Sequence, residues 1–195
     1  MSQTIADFYN RLYFLYPVVN YFLKRQKQVL FEEVNKIPAG KLLEIGVGTG
    51  SHLSLYKAHQ VTGIDISTAM LDIAKLADSN ATLLLMNGEQ LSFPDACFDY
   101  VVVAHVLAVT ANPDQLLDEV YRVLKPAGKL FVLNHFTPDN PLKWIDWLSQ
   151  PLCRLLHVRS FFHVEQIQGF RQFTLCSTTA LGTGAYYKLF IFHKP

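Results

Sequence analysis

Residues with the means to do chemistry gather at three places in this chain. The first is Glu44-Ile45-Gly46-Val47-Gly48-Thr49-Gly50, an acid followed by alternating glycines. Glycines allow a tight turn and bring backbone N–H groups close to a ligand, as a nucleotide-binding loop requires. A dinucleotide fingerprint, GxGxxG, needs glycine at position 51, where Ser51 stands, so the spacing disfavours a dinucleotide. The second place is Asp65, at the end of the next apolar run, where a carboxylate can accept both hydroxyls of a ribose. The third is a scatter of imidazoles and phenols: His105 and His135, each ending an apolar run, and Tyr9, Tyr13 and Tyr16 near the start. Any of these could take or relay a proton. Histidines at strand ends are more often satisfied structural groups, and the tyrosines read equally well as the packed face of a helix.

These residues need a scaffold, and the pattern of apolar runs supplies one. Lys41–Ile45, Gln60–Ile64, Thr82–Leu85, Phe98–Ala104 and Lys129–Asn134 read as buried strands. The last follows a stop signal, Lys125-Pro126-Ala127-Gly128. Ser51–Ala58, Thr68–Asp78 and Pro113–Leu124 read as the intervening helices, with Ser67 capping the second. Strands separated by helices predict a parallel sheet covered on both faces. Arg171–Cys176 and Tyr186–His193 are joined too closely for a helical crossover and should pair antiparallel, with Thr179–Gly184 at the turn. The expected fold is α/β: a doubly wound, mostly parallel sheet with an antiparallel C-terminal hairpin. Residues 5 to about 36 read as helical, broken at Pro17.

Composition narrows the class. The chain has 195 residues with 17 Lys+Arg against 16 Asp+Glu, a formal charge of +1, which excludes an electrostatic nucleic-acid binder. Hydrophobic residues make up 50% and charged residues 17%, so the chain folds, with apolar surface to spare for a partner, substrate or bilayer. Cys97, Cys153 and Cys176 are too scattered for a disulfide framework or a zinc site. The uncharged run Leu12–Leu23 falls short of the roughly 20 residues of a spanning helix, and no signal peptide is visible. A cytoplasmic protein is expected, of one domain over 1–195: residues 1–36 as a helical lid and membrane contact, 37–195 as the catalytic sheet domain. Lys24, Arg25 and Lys27 read as a solvated face or as a contact with anionic lipid. The oligomeric state stays open.

The Glu44-x-Gly46-x-Gly48-x-Gly50 loop with Asp65 at the next strand end resembles the class I S-adenosylmethionine-dependent methyltransferases, over nearly the whole chain. The resemblance implies a seven-stranded Rossmann-like sheet and S-adenosylmethionine as cofactor. It implies Glu44 near the methionine moiety, Gly46, Gly48 and Gly50 beneath the cofactor, and Asp65 on the ribose. Ile66 and Met70 would flank the adenine, with Asn87, Gly88 and Glu89 at its edge. Many members carry aspartate where Asn87 stands, though an amide oxygen can still accept from the exocyclic amine. Tyr9, Tyr16 and His105 complete the cofactor-binding set.

Tyr9-x3-Tyr13-x2-Tyr16, Thr62-Gly63-Ile64-Asp65-Ile66-Ser67, Asn134-His135-Phe136, Trp144 and Arg159-Ser160 further resemble the soluble bacterial phosphatidylethanolamine N-methyltransferases. Tyr13 and Phe161 depart from that pattern, standing where a small residue and an acid are usual. This resemblance implies methylation of phosphatidylethanolamine or its methylated intermediates towards phosphatidylcholine, at a transiently visited membrane surface. Tyr13, His135, Phe136, Trp144 and Arg159 would bind the substrate, with Tyr16 and His135 catalytic. Tyr9, Tyr16, Phe136 and Trp144 would cage the cationic head group, and Lys143, Arg154 and Arg159 would meet the lipid phosphate. The alternatives are a methyltransferase of quinone biosynthesis or of another small molecule, and a non-catalytic, membrane-associated module that binds S-adenosylmethionine.

Overall fold

The computed structural model describes residues 26–77, 80–136, 164–182 and 186–195. Residues 26–34 form a helix, α1. The strands are β1 (Lys41–Ile45), β2 (Gln60–Asp65), β3 (Thr82–Leu85), β4 (Phe98–Ala104), β5 (Leu124–His135), β6 (Thr174–Leu181) and β7 (Tyr187–His193). Two further helices, α2 (Thr68–Leu76) and α3 (Pro113–Val123), lie between them. One sheet results, in the order β3-β2-β1-β4-β5-β7-β6. The first five strands pair in parallel, and β7 runs antiparallel between β5 and β6. This is the doubly wound sheet with an antiparallel C-terminal hairpin that the apolar runs predict.

Side chains alternate across a strand, so β1 serves both faces. Leu43 and Ile45 join a buried cluster with Leu116, Leu117 and Val120 of α3. Leu42 joins the opposite cluster, with Leu30, Phe31 and Val34 of α1. Glu44 therefore stands on the α1 face. The direction of α1 is fixed at its far end, where His59, just before β2, hydrogen-bonds the Val34 carbonyl through Nε2 at 3.0 Å. Its C-terminal end thus sits at the amino edge of the sheet and its start points towards the carboxyl edge.

Caps set the other helix starts. Ser67 Oγ accepts from Met70 N at 3.2 Å, as its position predicts, and Asn112 Oδ1 does the same for Gln115 N ahead of Pro113. Three expected elements come out differently. Ser51–Ala58 is not a helix but a single 3-10 turn, Leu53–Leu55. Asn35 captures the backbone there, donating to the Leu55 carbonyl at 2.8 Å and accepting from Lys57 N at 3.1 Å. β6 begins at Thr174 rather than Arg171 and runs through the expected turn to Leu181. The residues before it dock on α3 instead: Gly169 N donates to Asp114 Oδ1 at 2.8 Å and Gln172 Nε2 to Asp118 Oδ1 at 3.0 Å. Lys125–Gly128, expected to end a helix ahead of the strand, lies within β5 as an irregularity where Phe98 pairs Leu124 and Tyr100 pairs Lys129.

Candidate functional site

Strand order reverses between β1 and β4, and at such a switch point the loops leaving the carboxyl ends diverge and leave a crevice. A pocket lies there, lined by Gly46, Gly48, Asp65, Ile66, Met70, Asn87, Gly88, Glu89 and His105 among the expected residues. Glu44 and Gly50 stand behind this lining. Gly46 has φ +77°, and a Cβ on it would overlap Val106 Cγ2, so the loop can approach β4 only as glycine. Gly50, with φ +64°, faces away from the pocket: a Cβ there would sit 2.7 Å from Ala74 Cβ of α2. Its place is helix–loop packing, not a floor beneath a ligand.

Asp65 is gripped by backbone. Oδ2 accepts from Gly48 N and Oδ1 from Ser67 N, each at 2.9 Å. The carboxylate keeps acceptor capacity for ribose hydroxyls. Burial raises its pKa above the ordinary value; the N–H groups of Ser67, Gly48 and Ile66 oppose this, and the Glu44 charge adds to it. Asn87 Oδ1 accepts from Glu89 N at 3.0 Å, so the amide builds its own turn with one lone pair to spare. Glu89 Oε1 accepts from Thr110 Oγ1 at 2.6 Å and Asn112 N at 2.9 Å, tying the loop after β3 to the loop after β4.

Behind the glycines lies a pair that spacing alone does not reveal. Glu44, 2% exposed, receives His52 Nε2 on Oε1 at 2.7 Å, while its Oε2 is buried with no hydrogen-bond partner of good geometry among the described residues, the Tyr56 hydroxyl lying close to the carboxylate. Phe31 of α1 stacks on His52 with centroids 5.4 Å apart. Lys27, expected on a solvated face or against lipid, is half-buried instead. Burial lowers its pKa, partly offset by the Glu44 charge.

On the other side, His105 has φ +61°, an uncommon conformation for a residue with a Cβ. Its Nε2 is buried with no hydrogen-bond partner among the described residues. Burial first, then the charges of Lys27, His135 and His52, lowers its pKa to about 3, so the ring is neutral near pH 7. From His105 a line of rings leads outward. Tyr187 packs edge-on at 5.8 Å, His135 meets Tyr187 at 6.5 Å, and Tyr186 stacks on His135 at 6.0 Å. Phe136, expected in a head-group cage, is 1% exposed and packs edge-on against Phe190 at 5.2 Å, in the core. Tyr9, Tyr13, Tyr16, Lys143, Trp144, Arg154 and Arg159 lie outside the described residues.

A glycine loop on β1, an acid ending β2 and a pocket at the switch point define a nucleotide-cofactor α/β protein. The model of the family "Methyltransferase domain" matches residues 43–132. The chain is 30% identical over 164 residues to a phosphatidylethanolamine N-methyltransferase of Cereibacter sphaeroides, covering 80% of each chain. It is 34% identical over 132 residues to a ubiquinone/menaquinone biosynthesis C-methyltransferase of Psychromonas ingrahamii, covering 62% of this chain and 49% of that one. The chain thus spans about half the length of that quinone enzyme. Among solved structures, an S-adenosylmethionine-dependent methyltransferase of Thermotoga maritima, described as a possible histamine N-methyltransferase, superposes with TM-score 0.74. It is 20% identical and covers 98% of this chain and 100% of its own. The chain belongs to the class I S-adenosylmethionine-dependent methyltransferases.

S-adenosylmethionine fits the residues present. Asp65 keeps acceptor capacity for the ribose, and Glu44 Oε2, with no hydrogen-bond partner of good geometry among the described residues, suits an ammonium. Missing from the sequence reading were His52, Tyr186, Tyr187 and the orientation of Lys27. For the tyrosines a signal existed: they open the strand-like run Tyr186–His193, which the structure pairs with β5 so that Tyr187 stands opposite His135. For His52 there was none, because the turn that folds it back on Glu44 is tertiary.

Proposed function

We propose that this methyltransferase transfers methyl groups to the ethanolamine nitrogen of phosphatidylethanolamine or its methylated intermediates, at a membrane surface it visits from the cytoplasm. The line of rings from His105 through Tyr187 to His135 and Tyr186 carries the proposal. When bound, S-adenosylmethionine supplies a methyl group already activated on a sulfonium. The remaining work is alignment, exclusion of water and management of a proton. An ethanolamine nitrogen attacks only as the free amine. His105 is neutral, so its Nε2, in the tautomer with the lone pair there, accepts an N–H and aims the nitrogen. At about 3 its pKa is too low to store the proton, so the proton must leave by another group, and His135, on the far side of Tyr187, is the candidate to carry it outward. As methyls accumulate the head group becomes a fixed cation, and the Tyr186 and Tyr187 faces offer it about 0.5–2 kcal/mol each. Tyr9, Tyr13, Tyr16, Trp144 and Arg159 would complete the acceptor side, as the resemblance implies.

Likeness to a phosphatidylethanolamine N-methyltransferase over 80% of both chains supports this reading. Likeness to the quinone enzymes favours a second, methylation of a quinone ring carbon, with the apolar lining holding the ring. Among the described residues no helix is long and apolar enough to cross a membrane. The test is isotope-labelled S-adenosylmethionine with phosphatidylethanolamine vesicles, read by lipid mass spectrometry. Label in mono-, di- or trimethylated head groups is expected. No label, with cofactor binding intact, overturns the lipid reading and directs the search to quinones and soluble amines.

A further inference from the structure

The methionine end of the cofactor is a zwitterion, an ammonium and a carboxylate on one carbon, and each needs its own counter-charge. On the sheet, Glu44 has a carboxylate oxygen, Oε2, that is buried with no hydrogen-bond partner of good geometry among the described residues, the Tyr56 hydroxyl lying close by. Its other oxygen is fixed by His52, and that imidazole is stacked under Phe31 of α1. No described pocket-lining residue carries a positive side chain to answer the cofactor's carboxylate, since His105 is neutral.

α1 supplies one. Leu30, Phe31 and Val34 bury one helix face against the Glu44 side of the sheet. Lys27 precedes Leu30 by three residues and Phe31 by four, so it continues that face by one more turn. Because Val34 lies at the amino edge beside His59, this extra turn reaches the carboxyl edge, where β1 gives way to the glycine loop. Burial lowers the Lys27 pKa, and its charge is felt both by Glu44 and by His105, one on either side of Gly46. A lysine on a solvated or lipid-facing surface would do neither.

We propose that Lys27 binds the α-carboxylate of S-adenosylmethionine while Glu44, held by His52, binds its ammonium, so that α1 supplies half of the methionine subsite. The idea rests on the cofactor assignment and extends it to a residue outside the glycine loop. It also gives α1 a function in binding: the cofactor's carboxylate ties the helix to the sheet across the top of the site.

The test is binding by the full chain of three probes: S-adenosylmethionine, S-adenosylhomocysteine, and 5′-methylthioadenosine, which keeps the nucleoside but lacks the amino acid. Lys27→Met should weaken the first two by about 10- to 100-fold, as loss of a charge-assisted bond does, and leave 5′-methylthioadenosine unchanged. Lys27→Arg should restore most of the affinity. His52→Phe, which releases the Glu44 carboxylate, should show the same selectivity with a smaller loss. Unchanged S-adenosylmethionine affinity in Lys27→Met, or an equal loss for 5′-methylthioadenosine, overturns the subsite. If the wild-type chain bound none of the probes, the subsite would fall together with the cofactor assignment, whereas wild-type binding unaffected by Lys27→Met removes the subsite alone.

Discussion

Around Gly46–Gly50 the site is made largely of backbone: N–H groups hold Asp65, a positive φ fits Gly46 against Val106, and side chains enter as charged groups, the Asp65 and Glu44 carboxylates with Lys27 from α1. Beyond His105 it is made of rings, at the end of β5 and the start of β7, which meet because β7 turns back along β5. The first region resists change because each position has one acceptable geometry. The second tolerates change because ring faces grip by dispersion and cation–π attraction, neither sharply directional. A cofactor half of narrow tolerance therefore sits beside an acceptor half that can be retuned.

The largest effect should come from Gly46→Ala. The overlap with Val106 Cγ2 and the positive φ together should cost about 2–4 kcal/mol of stability and abolish cofactor binding, read by urea unfolding and calorimetry. Should the variant bind normally, backbone geometry would not be what restricts this half.

Asp65→Asn comes next, with an expected loss in S-adenosylmethionine affinity of about 30- to 100-fold, from weakened bonds to a charged acceptor. The pH dependence sharpens this. Burial raises the Asp65 pKa in the free protein, and ribose hydroxyls favour the ionised carboxylate. Affinity should therefore be full at neutral pH and fall as pH drops through an inflection above the ordinary aspartate value, with that inflection absent in Asp65→Asn. An inflection at or below the ordinary value would contradict it.

His105→Asn removes the imidazole while keeping a residue that tolerates the left-handed conformation. It should lower kcat about 10- to 100-fold with little change in cofactor affinity. The smallest effect belongs to Glu89→Ala. Losing the bonds to Thr110 and Asn112 should cost about 1–2 kcal/mol and a few-fold in cofactor affinity, since these loops only frame the pocket.

The same contrast explains what the sequence discloses. β1, the glycine loop, Asp65 and the Ser67 cap are local patterns, so their roles are legible from spacing. The fate of Ser51–Ala58 was not legible, because Asn35, from the other side of β1, takes the backbone groups a helix would have used. Gly50 and Phe136 carry the expected residue types, yet their neighbours turn them to packing: Ala74 crowds the one and Phe190 covers the other. Lys27 has the same composition as a surface lysine; only the direction of α1 makes it a site residue.

The most direct test of two separable halves is the double variant Tyr186→Leu/Tyr187→Leu. Cofactor affinity would be measured by calorimetry, and kinetics on vesicles carrying either phosphatidylethanolamine or its dimethylated form. KM for the dimethylated lipid should rise roughly 5- to 30-fold, and more than for the unmethylated one, because two cation–π contacts are lost, while S-adenosylmethionine affinity stays at the wild-type value. A fall in cofactor affinity of the same size, or an unchanged KM for both lipids, would contradict the division into a backbone-built cofactor half and a ring-built acceptor half.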